Sequence, residues 1–191
     1  MLWEFLKEKM LSRPSSKMQE EDANITYEEA VIFAESFGKK LRTPCCAILC
    51  QSELAAALAL LSCFAAGVTA VPLSFRYGEA HCKRILRKIR PSAMITDVGG
   101  ELRVLHLNIA EKKQGTLEEW PAAILCTSGT TGEPKGVMLS EENFLTNIRD
   151  ICKYFKIEET DRILICRPLY HCAVLTGEFL VSLVKGLDIF F

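Results

Sequence analysis

The sequence predicts an α/β fold of parallel sheets flanked by helices, and three features carry that prediction. Strand-like and helix-like segments alternate along the 191 residues. From Leu54 to Phe75 no charged residue occurs, and Gly67 divides this run into an Ala-rich half and a β-branched half. The Ala-rich half reads as a buried helix, Gly67 as its stop, and Val68-Thr69-Ala70-Val71 with Pro72 as a buried strand. Ala122 to Cys126 is a second short apolar run, and it leads straight into a segment rich in Gly and Thr.

The elements follow in order. Leu2 to Leu11 carries Leu2, Phe5, Leu6 and Met10 at helical spacing, and Arg13-Pro14-Ser15-Ser16 ends it. Residues 15–25 are polar and read as a loop. Thr26-Tyr27-Glu28-Glu29 places a hydroxyl three residues ahead of a carboxylate, the pattern of a capping box. The helix it opens aligns Tyr27, Ala30, Val31, Ala34, Phe37 and Leu41 on one stripe. Ala47 to Cys50 reads as a strand, and Gln51-Ser52-Glu53 starts the Ala-rich helix. Gly78 to Arg90 is helical, with Cys82, Ile85, Leu86 and Ile89 on one side and Lys83, Arg84, Arg87, Lys88 and Arg90 on the other. That basic side lacks the interleaved aromatics of a nucleic-acid surface and reads as solvated. Ala93 to Thr96 and Leu102 to Leu107 are strands.

Residues 110–121 are charged and hold Gly115 and Pro121. They suggest a boundary between a first lobe, 1–120, and a second, 121–191. Val137-Met138-Leu139 is a short strand. Ser140 caps a helix with Glu141 and Glu142 in its first turn and Phe144, Ile148, Ile151 and Phe155 on its core side. Ile163 to Cys166 is a strand, Arg167 to His171 a loop, Thr176 to Lys185 a helix closed by Gly186, and Leu187 to Phe191 a strand.

Composition excludes several classes. The chain is 49% apolar and 25% charged, a balance that excludes disorder. Lys and Arg number 23 and Asp and Glu 24, so bulk charge does not hold it to nucleic acid. The nine cysteines lack any C-x-x-C spacing and sit mostly in apolar stretches, which points to reduced thiols in the cytoplasm rather than zinc or disulfides. The uncharged run from Leu54 is long enough to span a bilayer. Its Ala-rich content and internal Gly67 favour a buried helix and strand instead.

Residues 127–136 carry the chemistry. They hold three glycines, four hydroxyls and one lysine. Glycines let backbone N–H groups converge on an anion. Thr127, Ser128, Thr130 and Thr131 can donate to phosphate oxygens or ligate a metal, and Lys135 adds a point charge. The Walker spacing is absent. Pro134 and the strand after it leave no helix opening from the loop, so hydroxyls, N–H groups and Lys135 must do the binding. On composition alone, a surface turn of Gly and Thr fits equally well.

The order of residues is more specific. Thr127-Ser128-Gly129-Thr130-Thr131-Gly132-Glu133-Pro134-Lys135-Gly136 resembles the phosphate-binding signature of the AMP-forming adenylating enzymes. That superfamily includes acyl- and aryl-CoA synthetases, nonribosomal peptide synthetase adenylation domains and firefly luciferase. Ile25 to Glu29 is similar to the family's T-Y-x-E-L helix start, with Ala30 in place of Leu. Ala65 to Leu73 is similar to its A-G-A-x-x-V-P-L segment, and Arg167 to His171 resembles its P-L-[FY]-H loop.

The resemblance implies the first lobe and part of the second lobe of the family's N-terminal domain. It also implies ATP-dependent activation of a carboxylic acid as an acyl-adenylate, with release of pyrophosphate. A thiol, from CoA or a carrier-protein phosphopantetheine, then accepts the acyl group. By the same resemblance Thr127, Ser128, Gly129, Thr130, Thr131, Gly132 and Lys135 hold the β- and γ-phosphates. Thr127 helps ligate Mg²⁺, and Lys135 and His171 form the catalytic set. His171 lies near the acyl carboxylate or the pantetheine channel, unless it is a loop histidine satisfied by backbone. Tyr170 is a pocket wall. Cys172 beside His171 is not assigned as a nucleophile, because adjacent side chains rarely meet.

Members are much longer than this chain, and Ile189-Phe190-Phe191 closes it on an apolar strand. The expectation is an N-terminal segment without turnover of its own, whose second lobe lacks sheet neighbours, exposes apolar edges and self-associates. The alternative is a natural short paralogue acting as a nucleotide-binding or partner module.

Overall fold

The computed structural model describes residues 1–107, 121–127, 134–158 and 160–191. The strands in chain order are β1 (Lys17–Glu20), β2 (Ala23–Thr26), β3 (Cys45–Ile48), β4 (Thr69–Pro72), β5 (Ala93–Val98), β6 (Glu101–His106), β7 (Ala123–Thr127), β8 (Lys135–Leu139), β9 (Arg162–Leu164) and β10 (Asp188–Phe190). The helices are α1 (Leu2–Leu11), α2 (Tyr27–Gly38), α3 (Glu53–Ala66), α4 (Glu79–Ile89), α5 (Glu141–Tyr154) and α6 (Val181–Lys185). A π-helical segment, Val174–Leu180, leads into α6. The described strands form a six-stranded sheet, ordered β6-β5-β3-β4-β7-β8, and a four-stranded sheet, ordered β2-β1-β10-β9. The inner strands of both are parallel. The predicted α/β architecture is therefore present.

Local signals set the helices where they were expected. Thr26 Oγ1 accepts the Glu29 N–H at 3.2 Å while the Glu29 carboxylate accepts the Thr26 N–H at 2.9 Å, completing the capping box. Ser52 Oγ caps α3 by accepting the Ala55 N–H at 2.9 Å. Gly67 ends α3 in the left-handed region, at φ +66°, where a side chain is strained. The uncharged run thus folds back within itself as α3 and β4. Among the described residues no helix is long and apolar enough to cross a membrane.

The buried strands of the larger sheet serve two layers at once. Cys46, Ile48, Ala70, Ala93, Ile95 and Leu125 face α3 in the main core, which also takes in Met18 and Ile189 from the smaller sheet. The alternate residues Cys45, Ala47, Val71 and Leu73 face Ile85 of α4. A strand covered on both faces needs apolar residues at every position, which explains the missing alternation.

Two expectations are corrected, and the sheets cross the position where a lobe boundary is expected. Residues 15–25 are not a loop: they form the β1–β2 hairpin, with Met18 fully buried. Its turn carries no glycine, and Glu21 itself takes φ +50°, so the usual Gly-containing signal is missing. The boundary at 120/121 does not separate the sheets, because β7 and β8 complete the larger one and β10 joins β1 in the smaller. Finally, β10 has neighbours on both sides. It pairs with β1 and β9, and the Phe191 N–H donates to Gln19 O at 2.9 Å. Phe190 and Phe191 are half-buried rather than exposed. The exposed apolar side chains lie elsewhere, including Val137, Met138, Tyr154, Phe155 and Leu164.

Tyr27 ties α2 to the approach to β10. Its ring is fully buried, and its hydroxyl donates to Leu187 O at 2.6 Å. Burial pushes its phenol pKa strongly upward. Tyr27→Phe keeps the packing but strands that carbonyl. Its unfolding free energy in urea is expected to fall by about 1–2 kcal/mol, and an unchanged midpoint would refute the assignment.

Candidate functional site

Parallel strands deliver their following loops to one edge of a sheet, and in open α/β sheets that edge is where ligands bind. Strands β4 and β7 are parallel neighbours, with Ala70 opposite Ala123. The turn after β4 therefore lies beside the end of β7. Ser74 Oγ accepts the Arg76 N–H at 3.0 Å and winds Phe75–Tyr77 into a 3-10 turn. From the smaller sheet, β9 leads into the Arg167–Cys172 loop. These pieces enclose a cavity of about 590 Å³ lined by Arg76, Tyr77, His81, Thr127, Tyr170 and His171, among others.

Its walls are aromatic. The Tyr77 ring centroid lies 4.8 Å from that of Tyr170 and 4.9 Å from that of His81, and the Tyr170 and His171 rings are 4.1 Å apart. The His171 N–H donates to Pro168 O at 3.2 Å, closing the turn, while its carbonyl accepts the Leu175 N–H at 2.8 Å. Backbone bonding thus shapes the turn, and the ring itself stands exposed at the cavity.

Strands β7 and β8 form an antiparallel hairpin in which Thr127 is directly opposite Lys135. Opposed residues in such a pair project from the same face. A hydroxyl and an ammonium, both exposed, therefore stand side by side as the last pair of the hairpin before the segment that joins its strands. The hairpin is held from α4: Lys88 Nζ donates to Pro134 O at 2.7 Å. Gly136 lets β8 lie close to β7, since a Cβ there would come within 2.9 Å of Ile124 Cγ2, while Ile89 Cδ1 of α4 would be in ordinary contact at 3.7 Å.

The structure thus places Thr127 and His171 on one cavity and Lys135 across from Thr127. Ser128, Gly129, Thr130, Thr131 and Gly132 lie outside the described residues. Sequence reasoning missed Arg76, Tyr77 and His81. Their only sequence signal is position, just past the carboxyl end of a buried strand. The basic face of α4 is exposed as expected, with Lys83, Arg84, Arg87 and Lys88 at the surface, and Lys88 in addition bonds the hairpin.

Burial, not pairing, lowers the reactivity of most of the thiols, while Cys166 and Cys172 are exposed. All nine are free. Burial pushes Cys126, at the cavity, up to about 11 and Cys50 up to about 12.

A match to the family of AMP-binding enzymes covers residues 7–191. Among curated sequences, sulfoacetate–CoA ligase of Cupriavidus necator is 39% identical over 66 residues, 35% of this chain and 13% of that protein. Feruloyl-CoA synthase of an Amycolatopsis species is 30% identical over 143 residues, 66% of this chain and 29% of that protein. Among solved structures, O-succinylbenzoate coenzyme A synthetase of Bacillus subtilis, in complex with ATP and magnesium ion, superposes with a TM-score of 0.74 at 21% identity. It covers 98% of this chain, and this chain spans 56% of it, about half its length.

Thiolate is the reactive form, so a raised pKa slows alkylation at a given pH. At about pH 8, exposed Cys166 and Cys172 are expected to label first, and Cys126 and Cys50 only slowly. Peptide mapping after iodoacetamide treatment checks this. Rapid labelling of Cys126 would contradict the described burial.

Proposed function

The chain belongs to the AMP-binding enzyme family, and on that premise we propose that it carries the phosphate-binding half of an ATP-dependent, AMP-forming acid–thiol ligase. The observation that carries this reading is the pairing of Thr127 with Lys135 at an edge shared with Arg76 and His171. A hydroxyl, an ammonium and a guanidinium suit a polyphosphate, which needs hydrogen-bond donors and positive charge together.

The reaction fits these groups. A carboxylate oxygen attacks the α-phosphorus of ATP, and the bond to the bridging oxygen of pyrophosphate breaks. Negative charge builds on the departing pyrophosphate. Lys135 would balance it, with donors from 127–132, as an electrostatic contribution. His171 stands at the same cavity and would orient the acyl carboxylate or border the path of the incoming thiol. In the second step the thiol, from CoA or a phosphopantetheine on a carrier protein, attacks the acyl carbon and AMP leaves.

Among the described residues no cluster of three His, Cys, Asp or Glu side chains could hold a metal ion. A magnesium ion would instead take phosphate oxygens, water and the Thr127 hydroxyl, as this hard cation commonly does. When bound, it would neutralise phosphate charge. A reducing compartment, the cytoplasm, suits the free thiols. The exposed Val137, Met138, Tyr154, Phe155 and Leu164 support self-association of the isolated chain.

Titration calorimetry with MgATP tests the reading. The chain is expected to bind ATP weakly, and Lys135→Ala to weaken it roughly tenfold to a hundredfold, as for loss of a hydrogen bond to a charged group. Unchanged affinity would overturn the assignment. The 191-residue chain alone is expected to give no carboxylate-dependent pyrophosphate exchange. Measurable exchange would refute its incompetence.

A further inference from the structure

A second cavity, of about 250 Å³, shares Arg76 and Tyr170 with the one that holds Thr127 and His171. The N-terminus of α3 lines it, and there two carboxylates divide the work. Glu20 of β1 caps the helix: its Oε1 accepts the Glu53 N–H at 2.9 Å and its Oε2 the Leu54 N–H at 3.2 Å. The Ser52 hydroxyl donates to the same carboxylate. The helix end is thereby satisfied without the side chain of Glu53. That side chain reaches out of the helix instead, and its Oε2 accepts the Leu169 N–H at 3.0 Å.

Leu169 is a pivot. Its side chain is buried, and the two residues after it are Tyr170 and His171, whose rings, 4.1 Å apart and tilted by 38°, line the larger cavity. Glu53 and Leu169 are 116 positions apart, so the bond joins α3 of the central layer to a loop from the smaller sheet. Burial pushes the Glu53 carboxyl upward, and the Leu169 N–H opposes that rise. A half-buried carboxylate is costly unless such a donor compensates it.

We propose that Glu53 is a positioning residue: by accepting the Leu169 N–H it fixes the Leu169–His171 turn and sets where the Tyr170 and His171 rings stand in the Thr127 cavity. The consequence for catalysis rests on the ligase reading above. The hold itself does not, because it is made entirely within this chain.

NMR on the ligand-free chain tests it. The chain has three histidines, His81, His106 and His171, so their imidazole signals are separable. Glu53→Ala removes the acceptor. Glu53→Asp keeps the charge in the first turn of α3 but is too short to reach. Both are expected to speed Leu169 amide exchange roughly tenfold to a hundredfold, the effect of losing a hydrogen bond to a charged group. Both should also shift the His171 signals while those of His106 stay in place. Glu53→Gln, whose amide oxygen still accepts, should behave like the wild type. Unchanged Leu169 exchange and His171 signals in Glu53→Asp overturn the proposal. So does faster exchange spread evenly over α3 and β3, which would mark a folding defect. No nucleotide enters this experiment, so its failure is independent of the Lys135→Ala result.

Discussion

Strand β4 lies parallel to β7, and two long-range bonds hold them in register. The Ala70 N–H donates to Ala122 O at 3.0 Å, and the Thr69 hydroxyl donates to Pro121 O at 2.6 Å. Thr69 is fully buried. Its hydroxyl without that partner would cost about 1–3 kcal/mol. Because the two strands run the same way, the turn after Pro72 and the hydroxyl of Thr127 meet at one edge. An antiparallel β7 would carry Thr127 to the far end of the strand, roughly 15 Å away. The joining of Arg76 and Tyr77 with Thr127 depends on this one direction of travel.

The second half of the cavity comes from the other sheet, so the two sheets must hold a fixed relation. A single core does this. Leu60, Leu61 and Phe64 of α3 share it with Met18 of β1, Ile189 of β10 and Leu125 of β7. Interiors of this density transmit displacement rather than absorb it. Polar bonds refine what the packing fixes. Glu20 seats the end of α3 on β1, and Tyr27 seats the start of α2 on Leu187. Each satisfies a group that the surrounding apolar packing would otherwise leave without water.

Charge at the site is arranged on short leashes. Lys135 is exposed at the first residue of β8, while Lys88 is spent on the carbonyl of Pro134. One cation thus steadies the hairpin, and the other stands exposed beside Thr127. Gly136 allows this closeness, because a side chain there would press on Ile124. The final glycine of the ten-residue signature thus has a packing reason within the hairpin, against Ile124 of β7. The thiols nearby, Cys126 above all, are held protonated by burial and behave as small apolar groups.

Local residue patterns specify the α/β class, every helix longer than two turns, the end of α3 at Gly67 and the family signature at 127–136. These rest on interactions within a few residues: a hydroxyl on an N–H three positions away, a stripe repeating at helical spacing, a ten-residue string. Long-range packing makes Lys17–Glu20 a strand, since Met18 is its sole buried residue and β10 is its parallel partner. It alone placed β10 between two neighbours, interleaved the two sheets in sequence, and gathered Arg76, Tyr77 and His81 around Thr127 and His171. Those outcomes depend on pairings between residues dozens to well over a hundred positions apart. Such pairings are chosen by the sum of burial over the whole core, and they leave no periodicity or local motif in the chain to read.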